Sequence, residues 1–102
     1  MGYIRKTFRL KQTSVSILAR ENEHVEKAIS AIVHHRRLLE GYIEHDPLFA
    51  LTLEPYEVGE DAPEVVSRMA TAGQHMGVGP MAAVAGTIAS LATEAMVDAG
   101  AT

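Results

Sequence analysis

Polar and apolar residues alternate along the first part of this chain and then change period. Ile4, Phe8 and Leu10 interleave with Arg5, Thr7 and Arg9; after a break at Lys11-Gln12-Thr13, Val15 and Ile17 interleave with Ser14 and Ser16. Two runs of period two joined by a polar break predict a β-hairpin from Tyr3 to Ala19. Lys6 falls on the apolar side, which suits an edge strand whose inward charge deters further pairing. From Asn22 to His45 the period becomes helical, with Val25, Ala28, Ile29, Ile32, Val33, Leu39, Tyr42 and Ile43 close to one stripe. Asn22 suits an N-cap and Glu23 and Glu26 suit the first turn, where acidic groups oppose the helix dipole. Asp46-Pro47 ends the helix, because proline pushes the residue before it out of helical geometry.

The pattern after Pro47 is shorter in range. Leu48 to Val58 reads as a turn followed by a short strand, and Gly59-Glu60-Asp61-Ala62 as an exposed acidic loop. Asp61-Ala62-Pro63-Glu64 then opens a helix, with the cap at Asp61 or Ala62 and proline at the first position. Val65, Val66, Met69, Ala70 and Met76 form its apolar side, and Gly77 stops it. Gly77-Val78-Gly79-Pro80 is a tight connector to a last helix from Met81 to about Ala99, with Met81, Val84, Ile88, Leu91 and Met96 supplying bulk. Ala82, Gly86 and Ser90, with Ala85 and Ala89, make a groove of small residues that admits close approach of another backbone or a flat ligand. These elements predict one α+β unit over residues 1–102: an N-terminal hairpin, a long amphipathic helix, a short strand, and two C-terminal helices joined by a Gly/Pro turn.

Composition changes that picture in one respect. The apolar share is 47%, but alanine makes up much of it and aromatics only 5%, so the core is thinner than the share suggests. Charge is also uneven. Arg5, Lys6, Arg9 and Lys11 make the start basic, Glu54, Glu57, Glu60, Asp61 and Glu64 make the middle acidic, and no Lys or Arg follows Arg68. A small self-sufficient domain decorates its last helix with both signs. This pattern predicts a partner surface, either in a homo-oligomer or in a missing C-terminal half.

The function classes narrow further. Without cysteine there is no disulfide, thiolate metal site or cysteine nucleophile. A formal net charge of −4 speaks against nucleic acid. No secretory signal follows Met1, which points to a cytoplasmic setting, and Glu94 interrupts the alanine-dominated last helix, which argues against a membrane span. His34 and His35 diverge around a helix and lack an i+4 partner, while His24, His45 and His75 stand apart, so no metal site is expected. The strongest candidate is Gly77-Val78-Gly79-Pro80-Met81-Ala82-Ala83. Its glycines permit close backbone approach, and the amides of Met81, Ala82 and Ala83 would converge on one point, as an anion site requires. The same spacing also fits a plain hinge between two helices.

The run from Gly77 through Gly86 to Ala89 resembles the signature of an uncharacterised family in the ApbE-like superfamily, relatives of the FAD:protein FMN transferases once tied to thiamine biosynthesis. Leu39-Glu40-Gly41-Tyr42-Ile43-Glu44-His45-Asp46-Pro47, Leu51-Thr52-Leu53-Glu54-Pro55 and the opening Tyr3 to Leu10 extend the resemblance over nearly the whole chain. It implies an ApbE-like half-domain, since members of that family are about twice as long and continue into further strands past the counterpart of Gly100-Ala101-Thr102. It also implies a flavin-type ligand, FAD or FMN, at the glycine segment, with Gly77, Gly79, Pro80, Met81, Ala82 and Ala83 in contact, next to the helix-packing residues Ala82, Ala85, Gly86 and Ala89 that the spacing picks out. The segment carries no lysine or tyrosine, unlike the transferase pattern. The expectation is therefore a ligand-binding, catalytically incomplete module; the alternative is an interaction subunit that docks through its last helix.

Overall fold

The computed structural model describes residues 4–10, 13–19 and 22–100. Tyr3, the expected inward placement of the Lys6 side chain and the break at Lys11 and Gln12 lie outside what is described. Strand β1 (Ile4–Leu10) pairs antiparallel with β2 (Thr13–Ala19), placing Ile4 opposite Ala19 and Leu10 opposite Thr13. Helix α1 (Asn22–His45) follows, then the single turn α2 (Leu48–Leu51), α3 (Glu64–Met76), a 3-10 turn (Pro80–Ala83) and α4 (Val84–Asp98). Asn22 is the first helical residue of α1, so its cap position falls on Glu21, outside the described residues.

This architecture corrects the expected α+β class. Helices of 24, 13 and 15 residues carry the fold, and every buried apolar residue of the described core lies on a helix. The two seven-residue strands form a ribbon against α1 and α4 and build no sheet layer. The chain is mostly helical.

The strand expected before Val58 is also corrected. Leu48–Leu51 closes a helical turn, with Ala50 N–H donating to Pro47 O at 3.1 Å and Thr52 N–H to Leu48 O at 2.9 Å. Beyond it the Thr52 hydroxyl accepts the Glu54 amide at 3.2 Å, a local turn that competes with strand pairing. Pro55 has no amide to donate. No ladder forms from Thr52 to Val58.

The core is a three-helix contact. Val25, Ala28, Ile32 and Leu39 of α1 meet Val65, Val66, Met69 and Ala70 of α3 and Ile88, Leu91 and Ala92 of α4. Their spacing by threes and fours puts each set on one helix face. Arg36 occupies a rung of the α1 stripe and is buried there, its Nε 3.9 Å from Glu40 Oε1. Phe49 of α2 is fully buried and stands edge-on to Tyr42 and Tyr56, with ring centres 5.3 and 6.0 Å away. The Tyr56 hydroxyl donates to the Asp46 carboxylate, 2.9 and 2.8 Å from its two oxygens, tying the segment after α2 to the end of α1. The radius of gyration is 14.4 Å, above the ~13 Å of a compact domain this long.

Candidate functional site

The glycine connector lies at the C-terminal end of α3, against the segment that leaves α2. Gly77 takes φ +72°, the left-handed cap conformation that favours glycine. Its amide donates to Gln74 O at 3.3 Å, and that of Val78 to Gly73 O at 2.9 Å. Gly79 is extended and donates to Leu53 O at 3.0 Å; a Cβ there would collide with the Thr52 carbonyl oxygen. Pro80 then starts the 3-10 turn and is buried, and the Ala82 amide donates to Gly79 O at 3.3 Å.

Those bonds decide what the connector can do. Amides at 77, 78, 79 and 82 already serve backbone carbonyls of the same chain, so these four do not converge on a ligand. Gly77 and Ala82 are exposed, Gly79 and Pro80 buried, Met81 and Ala83 half-buried. The predicted packing residues are similarly divided. Ala82, Ala85 and Gly86 are exposed, Ala89 is half-buried, and a Cβ on Gly86 would meet nothing within 4 Å. Within this chain Ala82, Ala85 and Gly86 therefore stand at the surface, while Ala89 packs at the edge of the core that α4 contacts through Thr87, Ile88, Leu91 and Ala92. Met76, placed on the apolar side of α3 by periodicity, is exposed.

A feature that sequence reasoning missed joins the three long helices. The Arg68 guanidinium on α3 reaches Glu94 on α4, with Nη1 2.5 Å from Oε2 and Nη2 2.9 Å from Oε1, and also pairs with Glu64 one turn earlier. Arg68 holds the Glu94 carboxyl below its ordinary range. His35 of α1 feels the same charges; burial, then His34, lowers its pKa from 6.5. The i−4 spacing of Glu64 to Arg68 was visible in sequence, but nothing there pointed to Glu94. A second polar feature is an open cleft of about 310 Å³ between the acidic loop and α3, lined by Glu57, Gly59, Glu60, Ser67, Thr71 and Gln74. Among the described residues no group of three His, Asp or Glu side chains is placed to hold a metal.

A family model described as AbpE bacteria matches residues 2–102. The chain belongs to that family. Its relatives include UPF0280 proteins. One from Methanosarcina barkeri is 59% identical over 98 residues, covering 96% of this chain and 39% of the relative. One from Methanococcoides burtonii is 54% identical over 99 residues, covering 97% and 42%. A more distant one from Archaeoglobus fulgidus is 46% identical over 97 residues, covering 95% and 41%. The chain thus spans about two fifths of the length of these UPF0280 relatives.

Proposed function

We propose that this chain is a non-catalytic packing and interaction module of a UPF0280-type protein, offering apolar surface to further polypeptide. One observation carries the reading: Leu48, Leu51, Leu53 and Met76, on segments joined through the connector, are all exposed on a chain of 102 residues. Contiguous exposed apolar surface beyond a few hundred Å² marks an interaction site. The open environment of Gly86 supports it, since an interior helical glycine costs about 1 kcal/mol relative to alanine and gains nothing in this chain alone. The connector contributes only glycine, valine, proline, methionine and alanine side chains, which neither move protons nor attack electrophiles. A sizing column with light scattering and a hydrophobic dye tests this. The isolated chain is expected to bind the dye or to associate; a monomer that leaves the dye dark at all concentrations overturns the reading.

A second reading is a flavin-like or phosphorylated ligand at the segment from Gly77 to Gly86, drawn from the likeness to the ApbE-like superfamily. It is favoured by the lack of any acidic side chain from Gly77 to Thr93, just where α4 begins. It ranks second because the amides at 77, 78, 79 and 82 are engaged. Titration with FMN, FAD and inorganic phosphate, followed at the amides of Gly79, Met81 and Ala82, separates the readings. Shifts at millimolar ligand would promote the ligand site, and still amides would leave the connector as a structural joint.

A further inference from the structure

Four large apolar side chains lie on segments that the backbone brings together, α2 with the residues after it and the end of α3. Leu48 and Leu51 are three residues apart on α2 and are 55% and 74% exposed; Leu53 is 87% and Met76 60% exposed. The bond from Gly79 N–H to Leu53 O fixes the segment after α2 to the connector, one turn of chain from Met76. Close approach at Gly79 makes that joint stiff, so these side chains stand on a preformed shelf.

The charge around the shelf selects its occupant. No Lys or Arg stands from Leu38 to Ser67 or from Met69 to Thr102. Glu54, Glu57, Glu60 and Asp61 are all exposed. Two copies meeting isologously through this shelf would bring the same acid-rimmed patch from both sides together, with no Lys or Arg in either rim to offset it. Area argues the same way. Four side chains offer on the order of a few hundred Å², short of the ~800 Å² per partner of a standard interface. A segment of the same polypeptide needs less, because tethering already supplies an effective concentration near the millimolar range.

Resting on the interaction-module reading, we infer that the Leu48–Leu51–Leu53–Met76 shelf docks an apolar segment flanked by Lys or Arg, and that this segment belongs to the further length that UPF0280 relatives carry beyond the matched region. The relatives' length supplies such a segment, since this chain accounts for 39% and 42% of two of them.

The test joins this chain to the remaining length of the Methanosarcina barkeri relative and compares the fusion with the chain alone. The sequence has no cysteine, so Leu51→Cys, Leu53→Cys and, on the distant end of α4, Val97→Cys each report one position by maleimide labelling. In the fusion, labelling at 51 and 53 is expected to slow at least tenfold, and Glu54→Lys to restore part of the rate. Undiminished labelling at 51 and 53 overturns the assignment of the shelf. If position 97 or Ala82→Cys is protected instead, the interaction module survives with a different surface; if none is protected, both readings fail. Slowing that grows with concentration in the chain alone, together with a dimer by light scattering, assigns the shelf to a second copy and overturns the inference. Should the fusion not fold, hydrogen exchange on the native relative decides: slow exchange at the segment aligned with 48–54, compared with this chain, upholds the inference, and equal exchange overturns it.

Discussion

A methyl group added at two of the glycines has opposite consequences, because one backbone is crowded and the other open. At Gly79 the new Cβ runs into the Thr52 carbonyl oxygen, a backbone atom held in place by the neighbouring Gly79–Leu53 bond. Gly79→Ala is therefore expected to destabilise the chain by about 3 kcal/mol, at the upper end of what overpacking costs. Gly86 meets no neighbour, so Gly86→Ala is expected to raise stability by about 0.5–1 kcal/mol through helix propensity. Thermal melts of the two variants beside the parent check both signs. A drop in melting temperature for Gly86→Ala in a monomer would contradict the open environment of that residue. The sequence showed both glycines as candidates for close packing. What separates them is where Thr52 lies in space, which no local pattern encodes.

At the scale of elements, legibility followed the length of the periodic signal. Helix α1 was readable from Asn22 to His45 because six turns of stripe outvote any single residue, even Arg36 in a buried rung. The segment after Pro47 was not, since Leu48-Phe49-Ala50-Leu51 is too short to show a period and its helical turn is decided by the burial of Phe49. The connector was legible as a turn before a helix, but α4 begins at Val84 rather than Met81, after a 3-10 turn, and the engagement of the Gly79 amide depends on Leu53, distant in sequence. The charge cluster across α1, α3 and α4 gives a pH test. His35 faces His34, Glu64, Arg68 and Glu94, and burial holds its folded pKa below 6.5. Above 6.5 neither state binds the proton and there is no penalty. As pH falls below 6.5 the unfolded chain takes the proton first, stability declines, and the decline levels off under the folded pKa. Glu94 acts lower: its contribution is present above the unfolded value of about 4.3 and is lost as pH falls through its depressed folded pKa. His35→Gln should remove the loss that begins near pH 6.5 and leave the more acidic one, as read from urea unfolding at a series of pH values. A slope between pH 6.5 and 5 unchanged by the substitution would show that His35 is not its source.

For the molecule as a whole, the order in which the core is assembled has a consequence during synthesis. Helix α1 packs mainly on α4, and α4 is the last described element to be made. When the stripe of Val25, Ala28, Ile32 and Leu39 leaves the ribosome, roughly forty residues separate the end of α1 from its cover, a delay of about 2–8 s at ~5–20 residues/s. Local helix formation is far faster than that, so α1 has time to form while the part of its stripe that α4 covers stays open. The nascent chain is thus expected to be a client of ribosome-associated chaperones over this window. Arrest-peptide force profiling should register a single late pulling event once Leu91 and Ala92 have cleared the exit tunnel. A strong early event, as α3 emerges, would mean that α1 and α3 condense without α4.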